Sequence, residues 1–503
     1  MEASLTIGPT GRLGRTWLVL ALVLIAQFMV VLDATIVTVA LPSVQASLKF
    51  SSELNLQWVI NAYSLFFGGF LLLGGRAGDL FGRQRLFVAG LTLFTGASLV
   101  NGLAQSPTML ITGRAFQGVG AALVSPAVLS IILVTFQNDH ERGKALGYFT
   151  AVTASGSAVG LLLGGILTDA LSWRWIFLVN VPIGVVGLIG AVLMIPNSKV
   201  RGGGLRTLDL PGAVSVTAGL TLLVYTIVNA ENWGWSSQRV MWLVAGAIVL
   251  LLAFAAIELR TRNPLIRMGI FAKRSLATGN ITMFLMVAGL FTMMFFPTLY
   301  LAQIKGYSPI KVGLAYLPWP FAMAVAGNVA QRLGKHVGPR IPLAVGLAFV
   351  AAGLFTYGRL PAGGSYATDV LPGMILTAIG AGLAWANLFL VATAGVSTEE
   401  SGLAAGIVNT SQQLGAALGL AVLASIAAAR TNDVRRTSPG LPAHALVEGF
   451  QRGFVVGGVI VAVGALVALL GVPQRQRSGD ALPSEGDTRL LQAEEAEISG
   501  GAI

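Results

Sequence analysis

The 503-residue chain contains no cysteine, which excludes disulfides, thiolate nucleophiles and cysteine-ligated metal sites. Histidine is almost missing as well. His140, His336 and His444 all fall between the apolar runs, so no imidazole is available for a proton relay inside a membrane. Charged residues make up only 11%, where a soluble chain would carry about 25%. A Gly-rich phosphate loop ending in Lys-Ser or Lys-Thr is also lacking, which leaves ATP-driven transport without support. No nucleophile–base or metal-ligating constellation stands out, so nothing points to an enzyme or to a bound cofactor.

What the chain has in abundance is apolar length: 55% hydrophobic residues and a mean hydropathy of +0.77. About 20 apolar residues span a bilayer core. Fourteen segments qualify: 17–41, 56–75, 86–104, 108–131, 145–168, 173–195, 208–229, 240–258, 276–301, 310–331, 341–358, 371–394, 403–428 and 450–472. In lipid their backbone polar groups must be satisfied internally, so the expected fold is an all-α polytopic membrane protein. The first run is too long for a signal-peptide core and lacks a small-residue cleavage site, so it should remain as a spanning helix.

The net charge of +11 is sorted by side and is not a nucleic-acid footprint. With the N-terminus (1–16) in the cytoplasm, segments on that side hold about twice as many Lys and Arg as those opposite, which places both termini inside. Residues 196–207, with three consecutive glycines and three basic residues, read as a cytoplasmic linker. Residues 473–503 are polar, with acids outnumbering arginines, and read as a disordered tail.

The chain also repeats itself. Gly143, Gly147, Gly156 and Gly160 recur with the same spacings as Gly402, Gly406, Gly415 and Gly419, and Gly78 and Gly82 recur as Gly334 and Gly338. The offsets, 259 and 256, match span 5 to span 13 and spans 2–3 to spans 10–11. Two parallel six-helix halves follow, at 17–195 and 276–472, with residues 208–275 as an inserted pair of helices.

Charge inside the spans is rare and costs about 2.5–3.5 kcal/mol per residue at a span centre, so it defaults to function. Span 1 holds Asp33 and span 4 holds Arg114, with Gln117 three residues on and on the same helix face. At 1.5 Å per residue all three lie roughly 9–13 Å below the outer surface. A carboxyl can gain and lose a proton where a guanidinium cannot. Wetting of Asp33, or its distance from Arg114, would then load and unload a proton; the alternative is a static bridge between spans 1 and 4. Between spans 2 and 3 runs Gly75-Arg76-Ala77-Gly78-Asp79-Leu80-Phe81-Gly82-Arg83, a turn-forming loop in which Asp79 and Arg83 pair if the segment is helical. In span 5, Gly156, Gly160, Gly164 and Gly165 permit close helix approach.

These features resemble the fourteen-span drug:proton antiporter family of the major facilitator superfamily. The resemblance rests on Leu32–Pro42, Gly75–Arg85, Arg114 with Gln117 and Gly118, the span-5 glycines, and Trp173–Phe177 with Asn180–Gly184. It implies that Asp33, Arg114 and Gln117 couple protons. It further implies that Gly75, Gly78, Asp79, Gly82 and Arg83 form a conformational latch, and that the span-5 glycines serve antiport. Leu161 stands where the family usually has proline, Thr38 where it usually has asparagine, and Lys335 in place of the acid of a second latch.

Substrate recognition is read from Asn61, Phe291, Met294, Trp385, Asn387, Asn409 and Gln412, uncharged polar, aromatic or sulfur-bearing groups within spans. The expected function is proton-driven export of small amphipathic or hydrophobic toxic compounds, such as antibiotics, from a bacterial cytoplasmic membrane. The expected protein is a monomer with no cofactor and no nucleic-acid partner. Alternatives are export of one endogenous metabolite or lipid, proton symport, and a non-transporting membrane sensor.

Overall fold

The computed structural model describes residues 9–136, 138–195, 208–261, 264–266, 268–394, 396, 401–438 and 440–473. The expected linker at 196–207 and all but the first residue of the expected tail lie outside these. Among the described residues the structure is helical, with no strand.

The first part of the chain forms α1 (Pro9–Leu48), α2 (Glu53–Leu56), α3 (Trp58–Phe81), α4 (Arg83–Gly102), α5 (Pro107–Thr135), α6 (Asp139–Ala170), α7 (Trp175–Leu178) and α8 (Asn180–Met194). Two helices follow, α9 (Leu210–Trp233) and α10 (Gln238–Arg260). The remainder forms α11 (Arg274–Leu299), α12 (Pro309–Tyr316), α13 (Pro318–Val337), α14 (Arg340–Tyr357), α15 (Leu371–Thr393), α16 (Ser401–Thr437) and α17 (Pro442–Gly471).

Among the described residues, thirteen helical segments are long and apolar enough to cross a membrane, against the fourteen expected. The difference is the segment expected at 86–104. It folds as the 20-residue helix α4, whose apolar length is diluted by Arg83, Gln84 and Arg85 at one end and Asn101 at the other.

A second departure concerns the expected loop at Gly75–Arg85. Residues 75–81 contain no proline, and their backbone bonding continues α3, with Gly82 N donating to Gly78 O at 3.2 Å. Gly82 alone makes the corner into α4, at φ +97°, a conformation that suits glycine. Asp79 and Arg83 therefore sit on different helices, Asp79 in the last turn of α3 and Arg83 at the start of α4. Gly338, its repeat partner, makes the same corner between α13 and α14 at φ +73°.

The packing repeats too. α1 lies against α6, and α3 and α4 lie against α5; correspondingly α11 lies against α16, and α13 and α14 against α15. α9 and α10 pack on each other, and α9 touches both α3 and α16. Lipid supplies no hydrophobic drive between helices, so these contacts rest on close packing by small residues. Gly74 meets the Ala122 carbonyl, Gly120 meets the Phe94 backbone, and Gly346 and Gly380 face one another.

The two sets of helices meet along α3/α16 and α6/α12. At the end of the bundle holding Ser51, Gln303 Nε2 donates to Gln45 Oε1 at 3.0 Å. There a Cβ on Gly165 would stand 2.7 Å from Pro309 O, and one on Gly313 2.7 Å from Leu161 O. At the opposite end, which holds Gly82, an added Cβ on Gly143 or Gly147 of α6 would meet nothing within 4 Å. At the Ser51 end the two sets of helices touch through Gln45, Gln303, Gly165 and Gly313. The α6 face carrying Gly143 and Gly147 is open toward the Gly82 end, whereas its other face, with Ala145, stays buried.

Candidate functional site

α5 builds the centre of the site. It starts at Pro107 behind the Ser106 cap, whose hydroxyl accepts from Met109 N at 3.2 Å. Its three-residue spacing puts Arg114 and Gln117 on one face. Gly113 and Gly118 flank them: the first leaves room for Asn101 of α4, the second for the Tyr63 carbonyl of α3. Close approach of three helices follows from two missing side chains.

Arg114 Nη1 donates to Asp33 Oδ2 of α1, and also to Gln117 Oε1 at 2.7 Å. Arg114 Nε donates to Val59 O at 2.9 Å. The guanidinium also lies over the Tyr63 ring, 4.3 Å from its centroid, where ring and cation attract. Gln117 Nε2 donates to Asp33 Oδ1 and to Ser98 Oγ, each at 2.7 Å. Asn180 Nδ2 of α8 reaches the same Asp33 oxygen at 2.9 Å, and Asn101 Nδ2 reaches Gln117 Oε1 at 2.8 Å.

Asp33, Gln117, Ser98, Asn101 and Asn180 have no exposed surface, and Arg114 has 1%. Helices α1, α3, α4, α5 and α8 thus converge on one ion pair. The arrangement holds a carboxylate between a permanent cation and two amide donors, and moving α1 would strip those partners away. Sequence reasoning placed Asp33, Arg114 and Gln117 together, and the structure brings them together. Tyr63, Ser98, Asn101 and Asn180 were missed; the available signal was a polar group inside or at the end of an apolar run.

The span-5 glycines lie on the other side of α1. Cβ atoms on Gly156 and Gly164 would stand 3.0 Å from Val31 Cγ1 and 2.6 Å from Ile36 O, and one on Gly160 would strike Thr35 Oγ1. Gly165 instead faces α12, across the contact between the two sets of helices. Leu161 leaves α6 unbroken, and its carbonyl faces Gly313. The repeat glycines Gly415 and Gly419 seat α16 on Phe284 and Ala288 of α11 in the same manner.

Gly165→Leu should therefore lower stability in thermal unfolding by about 1–3 kcal/mol, as overpacking does. Gly143→Leu, where the space is open, should stay within about 0.5 kcal/mol of the parent.

Of the expected latch, a Cβ added on Gly75 would stand 3.8 Å from Pro126 Cβ and one on Gly78 3.4 Å from Leu86 Cδ2. Gly82 forms the corner and Arg83 opens α4. The Asp79 side chain lies outside the described residues.

None of the expected substrate residues lines either of two cavities, of about 660 and 130 Å³. These are lined by other residues, among them Arg430, Glu448 and Arg452 in the larger and Phe295, Phe296 and Phe450 in the smaller. Asn61 is buried and accompanied by Gln57, whose Oε1 accepts from its amide at 3.4 Å. Asn387 is buried, its amide bonded to the Leu383 carbonyl of its own helix at 2.8 Å. Asn409 likewise bonds Ala405 O at 3.1 Å. Phe291, Met294, Trp385, Asn409 and Gln412 are half-buried, on α11, α15 and α16.

An all-helical polytopic bundle of two packed sets of helices, enclosing a hydrogen-bonded ion pair, is the form of a membrane transporter. The family model described as Major Facilitator Superfamily matches residues 23–420, and the chain belongs to that superfamily. It is 41% identical over 470 residues to the puromycin resistance protein of Streptomyces alboniger, covering 93% of this chain and 92% of that one. To the cephamycin export protein of Amycolatopsis lactamdurans it is 40% identical over 427 residues, covering 84% and 88%. The tetracenomycin C resistance and export protein of Streptomyces glaucescens is 30% identical over 425 residues, covering 84% and 78%. Among solved structures, the POT family transporter PepTSo aligns with a TM-score of 0.64 at 16% identity, covering 91% of this chain and 98% of that one. A bacterial homologue of the human lysosomal transporter Spinster, inward-facing and unoccupied, aligns with a TM-score of 0.62 at 18% identity, covering 91% and 96%.

Proposed function

We propose that this chain exports small amphipathic antibiotics, or similar hydrophobic toxic compounds, in exchange for protons. The observation that carries the reading is the buried Asp33–Arg114–Gln117 network at the junction of five helices. The relatives' names, for puromycin and tetracenomycin C resistance and cephamycin export, support the substrate class. In this reading Asp33 carries the proton, and Arg114 and Gln117 hold its charged form. Gly75, Gly78, Asp79, Gly82 and Arg83 act as a latch at the cytoplasmic ends. Gly156, Gly160 and Gly164 let α6 move on α1, Gly165 lets it move on α12, and the proton gradient drives the cycle without a cofactor.

The bias of basic residues supports a cytoplasmic Gly82 end, with both termini inside, in a bacterial inner membrane. Contact between the two sets of helices at the Ser51 end, with the Gly143 face of α6 open, then corresponds to an inward-facing state. The halves are 17–195 and 276–472, with 208–275 inserted beside α3 and α16, and the chain works as a monomer. Half-buried Phe291, Met294, Trp385, Asn409 and Gln412, together with the buried Asn61 and Asn387, supply the groups that substrates meet. One proton entering down 100 mV provides about 2.3 kcal/mol, and each pH unit about 1.4 kcal/mol. At roughly 1.4 kcal/mol per tenfold, that supports an outward gradient of a few hundredfold for a neutral substrate.

In a host stripped of its own efflux pumps, expression should lower cellular accumulation of puromycin or a related antibiotic severalfold, and a protonophore should restore it. Unchanged accumulation of every compound in such a panel, with the protein present in the membrane, would sink drug export. Relatives named for one compound each favour a second reading, a dedicated exporter of one endogenous metabolite. A single responsive compound would select it.

A further inference from the structure

The larger cavity, of about 660 Å³, is used by no step of the transport reading. The end of α14, the last turns of α16 and the first turns of α17 wall it. It lies at the Ser51 end, because the smaller cavity, lined by Ser52 and Glu53, borders the same turns of α16. Gly358 lets α14 close on α17: a Cβ there would stand 2.6 Å from Val455 Cγ2. Gln451 Nε2 donates to Leu360 O at 2.7 Å and holds the chain beyond α14 in place. Four charged residues line the space, two of each sign: Arg430, Asp433, Glu448 and Arg452.

The four are not equally engaged. Arg430 spends Nε and Nη2 on Glu448 Oε2, at 3.1 and 2.6 Å, and His444 Nε2 stands 3.6 Å from the other Glu448 oxygen. Asp433 has only the exposed Arg436, at 3.9 Å. Arg452 has no ion-pair or hydrogen-bond partner among the described residues. The cavity thus offers one free guanidinium and one loosely held carboxylate, and a ligand that matches both carries a negative and a positive group.

Arg452 also heads an apolar stripe. Val455, Val459, Val463, Leu466 and Leu470 follow it at steps of three or four residues on one face of α17, exposed from Val459 onward. Phe355 of α14, also exposed, stands against this helix at Gly458. From Arg452 to Leu470 the stripe runs about 27 Å at 1.5 Å per residue, close to the roughly 30 Å of a hydrocarbon core. Arg452 and the cavity therefore stand at one boundary of the apolar band, where lipid headgroups lie. We propose that the cavity binds one phospholipid whose headgroup carries a primary ammonium. Its phosphate sits on Arg452, its ammonium at Asp433, and its acyl chains run along the α17 stripe and Phe355. A guanidinium fork suits a phosphate, and a carboxylate accepts from an ammonium. A lipid so placed ties α16 to α17.

The test is native mass spectrometry of the full chain, delipidated in detergent and titrated with phosphatidylethanolamine, phosphatidylglycerol or phosphatidylcholine of the same acyl chains. The parent should hold one phosphatidylethanolamine at least about tenfold more tightly than either of the others, the gain expected from a charge-assisted hydrogen bond. Arg452→Gln should weaken that binding about tenfold, and Asp433→Asn should bring phosphatidylethanolamine and phosphatidylglycerol within about twofold of each other. Both side chains are exposed, so both variants should fold. Arg239→Gln, at the same end over the Trp233 ring and outside the cavity, should match the parent. Equal retention of the three lipids, or an Arg452→Gln protein that binds like Arg239→Gln, would overturn the proposal. So would displacement of the lipid by soluble phosphoethanolamine at equal concentration, because the site would then take a water-borne ligand. Retention is read with no transported compound present, so its failure is distinguishable from failure of the export reading.

Discussion

Arg114→Met is expected to destabilise the protein by about 3–5 kcal/mol, the usual result of removing one partner from a buried ion pair. The substitution keeps the volume of the stem but leaves Asp33 as an unpaired charge among α1, α5 and α8, and frees the Val59 carbonyl. It also leaves Gln117 Oε1 with Asn101 as its one remaining donor. Thermal unfolding in detergent should reveal the loss. Adding Asp33→Asn to the same chain should recover much of it, because no isolated charge then remains. A double variant as unstable as the sum of its singles would mean that the two groups do not act as a pair.

Asp33→Asn alone is expected to abolish proton coupling while leaving a folded protein. An amide oxygen still accepts from Gln117 and Asn180, but the amide nitrogen then faces Arg114 Nη1. The variant therefore loses stability as well, and it cannot load or release a proton. The outward gradient should collapse from the few hundredfold that one proton supports to equilibration. Export measured in cells at matched protein abundance is the check. A variant that still accumulates substrate against a gradient would move the proton carrier elsewhere.

Much of this centre was legible before any coordinates. An acid, a base and an amide within apolar runs are expensive, and the rise per residue alone puts them at one depth. Their second layer was not legible, because Asn101 and Asn180 sit near the ends of α4 and α8, where polar residues are ordinary. The glycines tell a similar story: their spacing announced close packing, but only the fold shows Gly156, Gly160 and Gly164 on α1 and Gly165 on α12. The segment Gly75–Arg85 misled because glycine and charge look like a loop, whereas the backbone keeps bonding as a helix up to one glycine corner. α4 marks the limit of counting spans by hydropathy, since two arginines and an asparagine sit at its ends. Substrate residues were the least legible, because periodicity shows which residues share a helix face, not what that face meets.

The central claim is that Asp33 exchanges a proton for a substrate, and one measurement reaches it directly. Inverted membrane vesicles are energised to an acid interior, and lipophilic cations and neutral antibiotics, puromycin among them, are added while the pH gradient is recorded. The account predicts substrate-dependent collapse with the parent protein and none with Asp33→Asn, both variants being present and folded. Equal collapse with the two proteins would contradict it.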